Sequence, residues 1–233
     1  MQVSKRKIAS ETSTATRRVG RPTTTVLTRS LIAETALRLL DDNGADGFTM
    51  TRLAKALSVQ PSALYNHVEG KDDVIAGVRE LISDRIDVSG FAAQPWDVAL
   101  RGWVESYRLA FATHPPTVAL FATMPITGAH RTMAMYDTVV AAMVRAGWPE
   151  HEVLPVIVAV ESFVLGSALD AAAPPDMFDP RGAETAVPAF ASAYAARAAA
   201  LGTVPPADAA FAIGLTALVA GLRDHFRELM GSS

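Results

Sequence analysis

The sequence predicts an all-α protein, in which a small N-terminal helical domain is joined to a larger C-terminal helical domain. Apolar side chains recur every three or four positions along most of the chain, and the alternation typical of strands is absent from the sequence. Proline, glycine and Asn-Gly signals divide the apolar segments into helices of ordinary length. Half of the 233 residues are hydrophobic, which is enough to bury a sizeable core.

The N-terminal part of the chain is predicted to contain an arm and a head, in which a three-helix helix-turn-helix is followed by a fourth helix. Residues 1–27 are rich in Ser, Thr and Arg, so we expect a flexible arm there. In the head, residues 28–86, Thr28 and Thr49 have the side-chain oxygen that caps a helix N-terminus. Pro61 suits the first position of a third helix, because that position needs no N–H group.

Glycines predict where the helices of the head end. Asn43-Gly44 should end the first helix, and Gly70 should end the third. Lys71 then opens a fourth helix that extends to about Ile86, with carboxylates in its first turn, near the positive end of the helix dipole.

A larger domain is predicted over residues 95–230, after a loop at about 87–94. Prolines and turn residues separate its apolar segments, each of which shows helical spacing. The segments cover residues 95–114, 117–124, 130–147, 150–173, 187–201 and 206–230.

Charge is distributed unevenly along the chain. Residues 1–30 hold seven Lys or Arg and one Glu, a net charge of +6. Because the whole chain has a net charge of −3, the remaining residues carry a net charge of −9. A basic arm on an acidic body favours a polyanionic partner at one end of the protein. The alternative is a solvated, disordered tail with no partner.

Composition also restricts the class of protein. Cysteine is absent, which excludes a disulfide framework and a thiolate zinc site. The N-terminus shows no apolar signal segment, and the apolar run 209–222 is shorter than a membrane span requires. We therefore expect a cytoplasmic protein that makes no membrane contact.

A mostly polar short helix is predicted between two apolar ones, in the stretch SVQPSALYNHVEGKDD over residues 58–73. A helix this short needs neighbours to hold it, and the preceding helix is equally short. Two short helices braced by a longer first helix form a helix-turn-helix. Leu64 and Val68, four residues apart, would anchor its second helix and leave the polar side chains facing outward.

The outward residues are suited to duplex DNA. The helix N-terminus at residues 60–62 could meet a phosphate, Gln60 could read adenine, and Pro61 could touch a thymine methyl group. Tyr65 and His67 could donate to phosphates, and Lys71 would add positive charge. The alternative is an ordinary amphipathic helix with a solvated face.

Residues 28–81 resemble the DNA-binding head of the TetR family of regulators. The resemblance is carried by FTMTRLA at residues 48–54, ALYNHV at 63–68 and KDD at 71–73. More weakly, residues 103–147, 162–166 and 211–222 resemble the C-terminal domain of the tetracycline-repressor branch of this family.

The resemblance implies a homodimer that binds a roughly palindromic double-stranded DNA operator, with one recognition helix in each major groove. Dimerisation would use the helices at about 156–171 and 207–229. Gln60 stands where many members have Ser or Thr as the helix cap, so its side chain is expected to contact DNA instead. The DNA contacts carried over by position are Thr49, Thr51, Arg52, Gln60, Pro61, Ser62, Tyr65, Asn66, His67 and Lys71.

The arm supplies three further candidate DNA contacts, Arg17, Arg18 and Arg21. The stretch RRVGRP at residues 17–22 resembles the Arg-Gly-Arg-Pro core of AT-hooks, which enter the minor groove. Non-specific attraction to phosphates is the alternative, and both interpretations stay open.

The larger domain is predicted to hold a small, largely apolar effector between its helices. Tetracycline repressors bind a magnesium-chelated drug through a histidine in the segment that resembles residues 117–125, but that segment contains no histidine here, so no metal and no cofactor are predicted. Glu161, in an apolar run, is either a ligand partner or part of an interface ion pair. The predicted pocket residues are Trp103, Tyr107, Phe111, Phe121, Met124, Met133, Tyr136 and Phe163.

An enzyme is not predicted, because the sequence shows no HExxH motif, no Gly-rich phosphate loop and no GxSxG motif. The leading prediction is a DNA-binding transcriptional regulator, a repressor that an effector releases from its operator. The helix at 71–86 would transmit that change. Two alternatives remain: a small-molecule binding protein or helical enzyme module that retains the head, and an architectural DNA-binding protein without an effector. The sequence leaves activation open as well.

Overall fold

The computed structural model describes residues 26–231, which form ten α-helices and one short 3-10 helix, Ser89–Ala92. Within this range no strand is present, and the all-α prediction is confirmed. The helices are α1 (Arg29–Gly47), α2 (Met50–Ala56), α3 (Pro61–Leu64), α4 (Lys71–Ser83), α5 (Trp96–Ala112), α6 (Pro115–Thr123), α7 (His130–Arg145), α8 (Glu150–Asp170), α9 (Pro188–Leu201) and α10 (Pro206–Gly231).

The predicted helix starts in the head are confirmed by their capping contacts. The side-chain oxygen of Thr28 accepts a hydrogen bond from the backbone N–H of Leu31 at 3.2 Å, at the start of α1. The side-chain oxygen of Thr49 accepts from Arg52 N–H at 3.2 Å, at the start of α2. Pro61 occupies the first position of α3, where a missing N–H costs no hydrogen bond.

One predicted helix end in the head is confirmed and another is wrong. The first helix is interrupted at Gly44, as predicted, because that glycine has a positive φ of 68°; a further turn follows within α1 and closes through Phe48 N–H to Ala45 O. Helix α3 ends at Leu64 instead of reaching Gly70, and a turn continues the chain. One helical turn contains too few hydrogen bonds to propagate, so neighbouring elements must hold this segment.

The head and the body share a continuous buried core. In the head, α1 packs along α4, and Leu53 of α2 and Leu64 of α3 are fully buried in the same core. In the larger C-terminal part, residues 95–230 and here called the body, α5 packs along α8. Helix α1 also packs against α6, and α4 packs against α7, so the two parts are in direct contact. The division into domains at about residues 86–95 remains a prediction.

Helices α8 and α10 expose large apolar side chains. Leu154 and Val158 of α8 are exposed, and Ile213 of α10 is 73% exposed. Contrary to the sequence-based expectation, both helices are long and apolar enough to cross a membrane, although core helices of soluble proteins meet the same criteria. The two helices pack against each other and against α5. The exposed apolar side chains of these two helices are not covered by the fold's own packing.

Candidate nucleic-acid interface and effector region

The recognition segment, residues 60–70, has a buried side and an exposed polar side. Leu64 is fully buried and Val68 nearly so, and both belong to the hydrophobic core that also contains residues of α1 and α4. Most of the predicted contact residues of the segment lie on the outer side. The exposed side chains are those of Gln60, Pro61, Ser62, Tyr65 and Asn66, whereas His67 is half-buried.

The N-terminal end of α3 has no side-chain cap. The Gln60 side chain makes no capping hydrogen bond, as expected for glutamine, so its amide is free for other contacts. Because α3 spans a single turn, the helix dipole that the sequence suggested for phosphate binding is small here. Base and phosphate contacts at this end would therefore come mainly from side chains.

Other predicted contact residues already have partners within the protein. The Thr49 oxygen caps α2, and Arg52 Nη1 donates to the carbonyl oxygen of Gly47 at 2.6 Å. The Lys71 ammonium lies 5.7 Å from the centre of the buried Phe48 ring, in cation–π geometry. Thr51 is exposed at the start of α2. These contacts hold α2 and the start of α4 beside the recognition segment.

The arginines of the arm, Arg17, Arg18 and Arg21, lie outside the described residues, and their predicted role stays a prediction.

Four predicted effector residues form a buried aromatic column through the body. Ring centres are 5.6 Å apart for Trp103 and Tyr107, 5.1 Å for Tyr107 and Phe111, and 6.1 Å for Phe111 and Phe121. All four side chains are buried, and the spacing is that of stacked or edge-on aromatic pairs. The column joins α5 to α6.

A polar cluster lies beside this column and includes one residue whose role the sequence left open. Tyr107 donates a hydrogen bond to Glu161 Oε1 at 2.8 Å, and Tyr136 donates to the same oxygen. The two phenol oxygens are 3.2 Å apart. Glu161 is thus an acceptor for two tyrosines from α5 and α7, and no cation contacts it among the described residues.

The tyrosines of this cluster are held in their neutral form. Burial raises the pKa of Tyr107, and the neighbouring Tyr136 and Glu161 raise it further. Burial is also the main cause of the raised pKa of Tyr136, followed by the Glu161 carboxylate. Both phenols therefore remain hydrogen-bond donors throughout the physiological pH range.

Arg79 connects the head to the end of α6, and it was not among the residues predicted from the sequence. Only 7% of this residue is exposed, and its Nη2 donates to the carbonyl oxygens of Phe121 at 3.2 Å and Met124 at 2.9 Å. Burial lowers the pKa of the guanidinium, and the nearby phenols and Glu161 counteract this effect. The sequence signal for its burial was its position next to Val78 and one turn after Ile75, on the apolar side of α4.

The remaining predicted pocket residues do not share a single cavity. Phe163 stacks on Phe211 of α10 with a centre distance of 5.5 Å, and Met133 is exposed. Met124 borders a cavity of about 680 Å³ between the head and the turn before α7. That cavity is otherwise lined mainly by α4 residues and by the α6–α7 turn, so the position of an effector stays a prediction.

The residues of this region do not fit a chelated metal ion of the tetracycline-repressor type. Residues 117–125 contain no histidine, and within 26–231 no three His, Cys, Asp or Glu side chains are grouped to hold an ion.

The sequence matches two parts of one protein family. Residues 32–78 match the pattern described as "Bacterial regulatory proteins, tetR family". Residues 92–226, more than half of the chain, match "Tetracyclin repressor-like, C-terminal domain". The two matches correspond to the head and to the body described above.

Curated relatives and a solved structure agree with these matches. An HTH-type transcriptional regulator of Saccharopolyspora erythraea is 30% identical over 142 residues, 61% of this chain and 60% of that protein. The class D tetracycline repressor of Escherichia coli is 30% identical over 149 residues, 62% of this chain and 66% of its own length. These alignments thus span 60% and 66% of the two relatives, less than two thirds of either.

A longer alignment comes from a structure described as a possible TetR family transcriptional regulator from Streptomyces coelicolor A3(2). It is 28% identical, with a TM-score of 0.65, and the alignment covers 84% of this chain and 98% of that chain. The helix-turn-helix head, the helical body and both sequence matches lead to one assignment. The chain belongs to the TetR family of bacterial regulatory proteins.

Proposed function

We propose that the protein is a cytoplasmic DNA-binding transcriptional regulator, a homodimeric repressor that a small, largely apolar effector releases from a palindromic operator. The observation that carries this proposal is the two-sided burial of the recognition segment. Leu64 and Val68 are buried in the core, while polar side chains that include Gln60 and Tyr65 are exposed on the other side. This segment lies within the part of the chain that matches the family's DNA-binding head.

The exposed faces of α8 and α10 support the homodimer. Leu154, Val158 and Ile213 leave a large apolar area in contact with solvent, which a second copy of the chain would bury. Two helices from each subunit would form a four-helix interface with two-fold symmetry, which is a common arrangement for dimers. Two such heads, related by the two-fold axis, would read the two halves of a palindrome.

The packing around Arg79 supports a response to an effector. Arg79 of α4 holds the end of α6 through two carbonyl oxygens, and α4 follows directly after the recognition segment. An effector that binds one position of α6 more tightly than another would shift α4 and, with it, the head. The effector would then lower the affinity for the operator, at most by the factor by which it binds the shifted arrangement more tightly than the arrangement that binds DNA.

Two alternative functions bind different ligands: a small-molecule binding protein or helical enzyme module that retains the head, and an architectural DNA-binding protein without an effector. The relatives matched are transcriptional regulators, which disfavours the helical enzyme module. An architectural DNA-binding protein would bind DNA without an effector, so release of DNA by a ligand separates it from a repressor. The tetracycline-repressor relatives favour the ligand-responsive interpretation.

The test is a fluorescence-anisotropy titration of a labelled duplex from the promoter nearest the gene, at several salt concentrations. The variant Tyr65→Ala, Lys71→Ala removes two exposed groups of the interface. The matched control, Tyr194→Ala, Arg227→Ala, removes a tyrosine and a cation from the body. We expect tight binding by the wild type and the control, with a steep salt dependence, and weak binding by the interface variant.

Equal binding of promoter and scrambled duplexes by the wild type would direct the search to a random-sequence selection. If no selected duplex binds better than random DNA, the regulator proposal is wrong.

A further inference from the structure

The recognition segment needs an orientation that its apolar anchors cannot supply. Leu64 and Val68 fix two points on its inner side. Helix α2 packs against α3, but α3 itself is a single turn, so its own hydrogen bonds restrain the segment weakly. Reading of base edges requires side chains to be placed to within about half an ångström. A directional contact to the backbone of the segment would restrict its orientation further.

Arg29, in the first turn of α1, makes that contact. Its Nη1 donates a hydrogen bond to the carbonyl oxygen of His67 at 2.8 Å. Its Nη2 forms an ion pair with Asp73 Oδ1 in the first turn of α4. The other oxygen of Asp73 accepts from the backbone N–H of Glu69 at 3.0 Å. Four groups thus connect α1, the end of the recognition segment and α4.

We propose that Arg29 and Asp73 form a clamp that sets the orientation of the recognition segment for sequence-specific DNA binding. Arg29 is then a positioning residue for that interface, in addition to the DNA contacts inferred from the sequence. The inference rests on the proposed function, because orientation matters only if this segment reads DNA.

The geometry favours an effect on orientation over an effect on stability. Arg29 is 64% exposed and Asp73 is 20% exposed in their side chains, and exposed ion pairs add little to the free energy of unfolding. The guanidinium is a planar fork with donors at fixed angles, so binding two acceptors at once fixes their relative direction. The acceptors here belong to the segment and to the helix that follows it.

A direct DNA contact by Arg29 would behave differently, and the sign of one substitution separates the two roles. Asp73→Asn removes a negative charge near the DNA surface, which by electrostatics alone strengthens DNA binding. If the clamp positions the segment, the same substitution weakens operator binding instead. Asp72→Asn is the matched control, because it removes the neighbouring exposed carboxylate, which lies outside the clamp.

The experiment uses the full-length protein with Arg29→Gln, Asp73→Asn, the double variant and Asp72→Asn. Operator and scrambled-duplex affinities are measured by anisotropy, and thermal unfolding is followed by circular dichroism. We expect Arg29→Gln and Asp73→Asn each to weaken operator binding roughly three- to tenfold. The double variant should be no weaker than either single variant, since both remove the same clamp. The melting temperatures should stay near wild type, and Asp72→Asn should bind the operator as tightly as the wild type or more tightly, because it removes a negative charge and leaves the clamp intact.

Hydrogen exchange of the free protein tests the positioning without DNA. Amides in peptides that cover residues 61–70 should exchange faster in Arg29→Gln and Asp73→Asn than in the wild type or Asp72→Asn. Unchanged exchange, or Asp73→Asn binding the operator as well as Asp72→Asn does, would overturn the clamp. A failure of the proposed function looks different: the wild type then prefers no duplex, while the exchange result still reports on the clamp.

Discussion

The guanidinium of Arg79 lies 4.7 Å from the centre of the Phe121 ring, and it also binds the carbonyl oxygen of the same residue. One side chain of α4 thereby holds both the ring and the backbone of α6. The ring face is attracted to the cation, and the carbonyl oxygens at the end of α6 carry partial negative charge. This contact is one of several polar links between the head and the body; another joins His114 to Asp41 at 2.8 Å.

Arg79→Met should destabilise the protein by about 2–3 kcal/mol, because one buried and one partly buried carbonyl oxygen lose a charged donor while the volume is roughly kept. Urea unfolding at fixed protein concentration measures this change. The control Arg181→Met breaks an exposed ion pair with Asp176 and should alter the free energy of unfolding by less than about 1 kcal/mol. Equal effects of the two substitutions would contradict the role given to Arg79.

Gly214→Ala should destabilise α10 by about 1–3 kcal/mol, because a Cβ atom there would lie 2.5 Å from Phe163 Cε2. The Phe163 ring would have to move and lose its stacking on Phe211. Gly102→Ala, in the exposed interior of α5, meets nothing within 4 Å and should stabilise by up to about 1 kcal/mol. Thermal unfolding of the two variants should therefore shift in opposite directions.

Ile213→Glu should shift the protein from dimer to monomer, because it would place one unpaired charge from each subunit in the proposed interface. We expect the dimer dissociation constant to rise at least about 100-fold. The control is Leu109→Glu on α5, where the leucine is 69% exposed but lies outside α8 and α10. Sedimentation equilibrium measures both, and an unchanged mass for Ile213→Glu would contradict the proposed interface.

Stability should fall at alkaline pH through the two buried tyrosines. The folded-state pKa values of Tyr107 and Tyr136 lie above the value of 10.0 for a free tyrosine. Because the folded state holds these protons more tightly, their contribution to stability is complete below pH 10. It is lost as the pH rises through the folded-state pKa values.

The free energy of unfolding, measured in urea from pH 7 to 11, tests this dependence. The variant Tyr107→Phe, Tyr136→Phe should lose less stability above pH 10 than the wild type does. Its free energy of unfolding at pH 7 should be lower than that of the wild type, because the hydrogen bonds to Glu161 are missing. Tyr65→Phe, which removes an exposed phenol, is the control and should follow the wild-type curve. Parallel curves for all three proteins would show that the cluster does not contribute to the pH dependence.

Local features of the head could be predicted from the sequence because each depends on residues close together in the chain. Thr28 and Thr49 cap their helices through contacts three residues away, and Pro61 starts α3 through its own ring geometry. The apolar spacing predicted the buried anchors Leu64 and Val68, because the residues that fill a core repeat with the helix period.

Contacts between distant segments could not be predicted in this way. Arg29 and Arg79 were missed because their partners are 38 or more residues away, and an arginine next to apolar residues gives no sign of which carbonyl oxygens it will meet. Glu161 likewise gave no sign of its two tyrosine donors. The predicted pocket residues were chosen by type, and the fold separates Phe163 and Met133 from the aromatic column.

The sequence by itself determined the helical class, the polar recognition segment and the basic charge of the N-terminal region, since these follow from local propensity, spacing and composition. Tertiary structure alone decided that α3 is a single turn, that Arg29 and Asp73 meet beside it, and that Arg79 joins α4 to α6. The physical reason is that the free energy of these contacts depends on distance and direction between groups brought together only by packing.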